Sequence, residues 1–381
     1  DHRAMVRQAI DAVSGHSFFV AGSPLRMSRT PGVAPGSVSA PDADRAMVLA
    51  LLHAQEPSSI SPDARASSSD RPLAGIRVLE IGHYTTAPAA SRQLAALGAE
   101  VIKLEPPGGE AVRNWPPKLG DRAVFFSFQN ADKRSLMLDL ANPTDLARLH
   151  QLVAGCDVLI ENMRPGALER KGLGPDALLK LNPRLVACSI SGFGADSLYE
   201  GRPAFDTVVQ AMSGLMDLNR ADGIPMKTGP SIADVLGAAF AATAILAALE
   251  ERRQSGHGQF IDLSMQDICA WTTQTAWNGR RLPPAPAIRA HAQGLVLDET
   301  ANGQSGPAHD GQPVPVMAIF DVIHAPQTIA RELWQRALAE DGSEQTVIRC
   351  PARFASCPDP VPVPARALGI DNADILRDLG E

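Results

Sequence analysis

From Gly75 onward, short apolar runs alternate with helix-length amphipathic stretches. The first is Ile76–Ile81, bounded by Gly75 and Gly82. The pattern predicts a strand there, a helix over Pro88–Leu97 and a strand over Glu100–Leu104. Proline at the start and Gly98 at the end are the expected helix punctuation. The alternation continues with a helix over Pro143–Val153, a strand over Asp157–Ile160, a short helix over Asp176–Leu181 and a strand over Leu185–Ile190. Beyond these, Phe205–Met216 and Ser231–Arg253 read as helices, Gln259–Leu263 as a strand, and Ser264–Trp277 and Pro326–Ala339 as helices. Runs without a polar partner every second residue suit strands buried on both faces. The order predicts an α/β fold: a Rossmann-like, mostly parallel sheet with helices on both faces.

Three stretches break this pattern. Pro31–Pro41 and Glu56–Asp70 are rich in Pro, Ser, Gly, Ala and Asp and read as loop or linker. Residues 278 to 312 are Pro-, Gly- and Ala-rich with weak periodicity. A weak repeat also appears. Ser23–Gly32 aligns with Cys350–Asp359, setting Pro24 on Pro351, Arg26 on Arg353 and Pro31 on Pro358. The register runs on through Pro35 and Pro362, Asp44 and Asp371, Leu49 and Leu376, and Leu52 and Leu379.

Composition narrows the function. The 381 residues are 45% apolar, enough for a large core, but only 4% aromatic. Abundant alanine predicts closely packed helices. A net charge of -7 without a basic block gives no nucleic-acid footprint. The apolar run Val235–Leu249 is shorter than the ~20 residues that span a bilayer, so it predicts a core helix and no membrane partner. No basic segment followed by an apolar one marks a secretory signal. The five cysteines, Cys156, Cys188, Cys269, Cys350 and Cys357, fit no zinc spacing. They read as free thiols in a reducing cytoplasm, and no metal is expected.

The first strand–helix turn is Gly82-His-Tyr-Thr-Thr-Ala-Pro88. It lacks the glycines that bring backbone against a pyrophosphate, which argues against nicotinamide binding. Asp234 stands where the long apolar helix begins, in Gly229-Pro-Ser-Ile-Ala-Asp234. An acid there meets free N–H groups and the positive end of the dipole, so its carboxylate is expected to stay ionised. That placement alone serves a first-turn capping acid as well as a nucleophile.

Two segments carry a resemblance. Asp157–Gly174 reads Asp-Val-Leu-Ile-Glu-Asn-Met-Arg-Pro-Gly-Ala-Leu-Glu-Arg-Lys-Gly-Leu-Gly, and Asn182–Gly194 ends in Gly-Phe-Gly. Together they resemble the class III coenzyme A transferases, the family that also holds the 2-methylacyl-CoA racemases. The resemblance runs from about Pro72 to Glu381 and is close from 72 to 277. It implies that Asp234 is the catalytic nucleophile. It implies coenzyme A contacts at Thr85 and Thr86 in the first turn, and at Leu138, Ala141, Asn162 and Met163 around adenine and ribose. Arg170 matches a phosphate contact, Lys171 lies beside it, and Arg113 is a weaker phosphate candidate. Ala141 stands where the family often has Lys, and Thr85 where formyl-CoA transferases have Gln. The racemases carry His at the place of Phe205, and proton exchange on two faces of a carbon needs two titratable groups. Phe205 followed by Asp206 therefore favours transfer over racemisation.

The resemblance also implies the substrates, an acyl-CoA and a free carboxylic acid acceptor, and no metal. Rival readings are an acyl-CoA racemase or isomerase, and a degenerate half supporting an active partner copy. Both copies of the repeat resemble the closing segment of the family. Residues 1–52 are therefore expected to be the tail of an upstream copy and 53–71 a linker. A CoA-binding large domain over 72–277 follows, then a truncated small domain over 278–325 and a returning segment over 326–381. The family's interlocked dimers imply a homo-oligomer, or pairing within one chain with the upstream copy.

Overall fold

The fold is that of a computed structural model. It describes residues 6–10, 17–21, 26–29, 71–119, 122–195, 197–199, 202–221, 223–273, 276, 287–291, 294–298, 324, 326–330, 334–348 and 363–379. Six parallel strands form the centre: β1 (Arg77–Ile81), β2 (Glu100–Glu105), β3 (Lys133–Met137), β4 (Val158–Glu161), β5 (Val186–Ser191) and β6 (Gln259–Ser264). Their order across the sheet is 3-2-1-4-5-6, as in dinucleotide-binding folds. Leu79 of β1 sits in register between Ile102 of β2 and Leu159 of β4. The short edge strand Arg26–Met27 adds antiparallel to β6.

Helices cover both faces. On one lie α1 (Thr86–Ala96), α6 (Ile232–Ser255) and α7 (Met265–Thr272). They bury Val78, Val158, Cys188 and Ile261 under an alanine-rich layer that includes Ala87, Ala90, Ala241 and Ala244. On the other face lie α3 (Pro143–Gly155), α4 (Pro175–Leu181) and α8 (Asn372–Asp378), over Leu79, Ile102, Leu136 and Leu159. Pro143 opens α3 and the Asn142 side chain accepts from Thr144 N at 2.8 Å, a standard start. Small residues let α1 and α6 approach closely. A Cβ on Gly237 would come within 2.8 Å of Thr86 Cγ2, so glycine there sets the distance between the two helices.

Several boundaries differ from the sequence reading. α5 spans only Asp206–Met212, and Phe205 lies outside it as the N-cap. Gly214 turns with positive φ, and Leu215–Leu218 is a separate helical turn. α7 ends at Thr272 rather than Trp277. The helix expected over Pro326–Ala339 stops at Ala330, and Trp334–Leu338 pairs with Glu344–Ile348 as a hairpin. The turn is made at Asp341-Gly342, with Gly342 at φ 78, a strong hairpin signal that the helical reading overlooked. Val124–Asn130, here α2, and strand β3 were not anticipated.

Residues 363–379 run along β3. Asp371 and Asn372 accept from Ser135 N and Met137 N at 2.8 and 2.9 Å. The partner stretches that would compare the two repeat copies, 30–52 and 350–359, lie outside the described residues.

Candidate active site

The strand order reverses between β1 and β4, so the loops after them diverge and leave a crevice at their carboxyl ends. One side of it is Gly82–Thr85. The other is Asn162 and the turns that follow. The Asn162 amide ties the two: it accepts from His83 N and donates to His83 O, both at 2.8 Å. One N–H and one lone pair of its amide thus hold the β1 loop. Met163 donates its N–H to Glu161 at 2.7 Å, and its side chain packs on the apolar core.

Asp234 lies in the first turn of α6, half-buried. Thr86 Oγ1 donates to its Oδ1 at 2.7 Å, so the first turn of α1 meets the first turn of α6 at the expected nucleophile. Thr85 precedes Thr86 as the N-cap residue of α1, and both are buried. Asp206 acts on Asp234 through its like charge. Its carboxylate accepts from Ala233 N at 2.9 Å and from Gln210 Nε2 at 2.8 Å, and pairs with Lys227 at 3.2 Å. Asp206 thus anchors the backbone immediately before Asp234. Phe205 leaves its ring exposed beside this anchor.

The electrostatics of Asp234 run opposite to the dipole argument. Burial raises its pKa above the ordinary aspartate value; the Thr86 hydrogen bond and Lys227 lower it, and Asp206 raises it again. A carboxylate so placed is a better base and nucleophile than a solvated one.

The nucleotide-side residues fall into two groups. Lys171 Nζ donates to Leu140 O at 2.7 Å, so the loop after β3 and the turn carrying Arg170 are joined. Arg170 is exposed, its backbone N–H held by Gly166 O at 3.0 Å. Ala141 N is held by Asp139 at 2.9 Å, while the Leu138 side chain is core. Glu105 grips the Arg113 guanidinium at 2.6 and 2.7 Å, and the cation stacks 3.9 Å over Phe126. Glu105 pairs its charge within the fold.

Beneath the β1 loop is a buried charge cluster that the sequence reading did not identify. Lys103 pairs with Glu80 and Glu110 at 2.9 and 3.0 Å and donates to Gly82 O at 2.9 Å. Lys133 bonds Glu80 at 2.7 Å and Pro88 O at 2.9 Å. Burial alone would raise Glu80, but the two lysines hold its pKa at about 2. Alternation of charged with apolar residues in β1 and β2 was the available signal. Glu161, at the end of β4, is pushed by burial to about 7, partly offset by Ser189 and Met163 N–H.

Comparison with known proteins agrees with this arrangement. The model of CoA-transferase family III matches residues 73–297. The chain is 37% identical over 257 residues to the acetyl-CoA:oxalate CoA-transferase of Acetobacter aceti, covering 67% of this chain and 61% of that protein. It is 34% identical over 277 residues to the succinyl-CoA–D-citramalate CoA-transferase of Chloroflexus aurantiacus, covering 71% of this chain and 67% of that protein. The chain thus spans about half to two thirds of the length of the curated relatives it matches. Among solved structures, a CAIB/BAIF family protein from Brucella suis superposes with a TM-score of 0.71 at 25% identity, over 81% of this chain and 99% of that one. Rv3272 from M. tuberculosis gives 0.70 at 26% identity, over 80% and 99%. With its sheet order, its crevice and this match over most of the described sheet, the chain belongs to CoA-transferase family III.

Proposed function

We propose that this chain moves coenzyme A from an acyl-CoA to a free carboxylic acid, with Asp234 as the covalent nucleophile. The observation that carries this reading is the Asp234 carboxylate, half-buried at a helix start and held by Thr86 at the start of α1. The names of the relatives, each a transferase between an acyl-CoA and a carboxylic acid, support the substrate classes.

The Asp234 carboxylate attacks the thioester carbonyl. The carbon–sulfur bond breaks, giving a mixed anhydride and CoA thiolate. The thiolate attacks the aspartyl carbonyl, releasing the donor acid and leaving an enzyme–CoA thioester. The acceptor carboxylate attacks that thioester and expels the thiolate again. Thiolate attack on the acceptor's carbonyl then yields the new acyl-CoA and regenerates Asp234. This is nucleophilic catalysis by a carboxylate, aided by N–H groups that meet each oxyanion. A second titratable group across the site is not required, and Phe205 supplies none. We place a second family unit beside this one, as another chain or as the upstream copy whose tail is residues 1–52.

Intact mass after mixing with acyl-CoA tests the assignment. The wild type should gain coenzyme A less one water, and Asp234→Ala should gain nothing while still binding CoA. An adduct of equal yield in Asp234→Ala removes Asp234 from the mechanism. Arg170→Ala should weaken CoA binding by about 1–3 kcal/mol, the worth of a charge-assisted hydrogen bond. Calorimetric titration with CoA that shows no change would take Arg170 out of the phosphate site.

A further inference from the structure

Asp234 shares the start of α6 with a second carboxylate and a cation, and the fold sets their order from inside to outside. Asp206 is the inner member, 6% exposed. Its Oδ1 accepts from Ala233 N at 2.9 Å; its Oδ2 accepts from Gln210 Nε2 at 2.8 Å and meets Lys227 Nζ at 3.2 Å. Both oxygens of Asp206 thus share their charge with N–H donors of the fold. Lys227 is the outer member, with 37% of its side chain exposed. An anion arriving from solvent meets the ammonium end of this pair before the carboxylate end. An ammonium carries three donors, so one lysine can bridge two carboxylates.

The backbone that carries Lys227 is pinned on both sides. Before it, Arg220–Ala221 pairs with Ile224–Pro225 as a hairpin, and Asn219 O accepts from Met226 N at 2.7 Å. After it, Thr228 N donates to Gln210 Oε1 at 3.0 Å. Gln210 is fully buried, and the same amide holds Asp206. The lysine is therefore delivered to the nucleophile's helix start by α5, through contacts that a solvated surface lysine does not need.

The charge of this group changes during the proposed reaction. In the free enzyme, two carboxylates stand against one ammonium, leaving one net negative charge. Lys227 lowers the pKa of Asp234 and Asp206 raises it, so the three charges act on one another. Once Asp234 carries coenzyme A as a thioester, its charge is gone, and Asp206 and Lys227 balance. The acceptor acid is an anion, and the reaction needs it at that stage and not before. Like charge opposes its entry in the free enzyme, and the ammonium favours it in the thioester form.

We infer that Lys227 receives the reacting carboxylate of the acceptor acid, and that the loss of charge at Asp234 on thioester formation admits it. This rests on the transfer reading above and adds to it an acceptor-binding residue and the reason for its order.

The discharge half-reaction tests it. Wild type and Lys227→Met are converted to the enzyme–CoA thioester with acetyl-CoA or succinyl-CoA, freed of small molecules, and mixed with acetate or succinate at neutral pH. Loss of the adduct is followed by intact mass. Lys227→Met should need at least about tenfold more of either acid for the same rate, the loss of a charge-assisted hydrogen bond, and Lys227→Arg should stay close to wild type. Hydroxylamine, an uncharged nucleophile, should discharge both thioesters equally, which a lysine that only shaped the loop would not allow. Asp234→Asn copies the loss of charge without coenzyme A. It should bind acetate at least about tenfold more tightly than wild type in an NMR titration, and Lys227→Met in that background should remove the gain. That comparison decides the matter if Lys227→Met forms no thioester. An acid dependence unmoved in Lys227→Met, hydroxylamine slowed as much as the acids, a loss confined to succinate, or equal acetate binding by wild type and Asp234→Asn overturns the assignment of Lys227 and leaves transfer standing. No adduct on the wild type with either donor overturns transfer and this assignment together.

Discussion

Asp234 shows how a single carboxylate is tuned by segments far apart in the chain. Thr86 donates to it, Asp206 fixes the turn before it, and burial raises its pKa. On the proposed mechanism the attacking form is the carboxylate, so acylation should slow as pH falls through that pKa. With the pKa raised, the acidic limb of the rate profile lies above that of a solvated aspartate. Thr86→Val removes a bond that lowers the pKa, so the limb should move to higher pH. A hydrogen bond to a charged group is worth about 1.5–3 kcal/mol, which corresponds to about one to two pH units. The pH dependence of single-turnover acylation checks this, and a limb that stays in place or moves down refutes it. The position of Asp234 was legible in the sequence because a helix start has a recognisable pattern. The sign of its shift was not, because the helix end is local while the burial of Asp234 depends on segments far away in the chain. Asn162 and Arg113 are similar cases: the residue types suited a ligand, and their internal contacts to His83 and Glu105 come from segments no local pattern announces.

At the scale of elements, β1, β2 and β3 are stitched by buried charge as well as by apolar contact. Glu80 of β1 takes Lys103 from β2 and Lys133 from β3, and the same lysines hold Gly82 O and Pro88 O around the site loop. Removing one partner from such a group leaves buried charge uncompensated. Glu80→Gln should therefore destabilise the protein by about 3–5 kcal/mol, read from the urea midpoint at neutral pH. The pH window follows from Glu80, held at about 2 in the fold against an ordinary value of 4.5. The folded state binds fewer protons than the unfolded one between those values. Its contribution is complete above the unfolded value and is lost as pH falls toward about 2. Glu80→Gln should lack that part of the acid slope. This cluster also explains why β3 was invisible in the pattern: Lys133-Arg134 reads as a polar surface pair, and only the Glu80 carboxylate two strands away makes Lys133 a core residue. β5, which carries no charged residue, was legible because its apolar run needed no distant partner to be understood.

At the scale of the whole molecule, the two margins of the sheet are treated differently. β3 is covered by residues 363–379, whose Asp371 and Asn372 satisfy its backbone and whose Ile375 enters the core. β6 would end the other side with open donors and acceptors, and the stretch Arg26–Arg29 meets it there. Ser28 N donates to Phe260 O at 3.0 Å, Phe260 N to Ser28 Oγ at 3.1 Å, and Arg29 pairs with Glu251 at 3.4 Å. An open parallel edge is a template for unwanted pairing, so this short stretch acts as a cover. Its composition, with Pro24 and Pro31 on either side, gave no strand signal; a two-residue strand is dictated by its partner and not by its own pattern. Deleting residues 1–52 should leave the six parallel strands folded, since they and their helices hold the apolar core. The loss should be on the order of 1–3 kcal/mol, a few net hydrogen bonds, and should lower the melting temperature by about 2–4 °C for each kcal/mol. The larger effect should be on association, with the deleted protein forming concentration-dependent oligomers that light scattering detects. A peptide spanning residues 23–32, added in trans, should suppress them. That rescue would also fit a segment that originates in one family unit and serves another. A deletion that neither lowers the melting temperature nor promotes association would mean that the edge of β6 needs no cover from this chain.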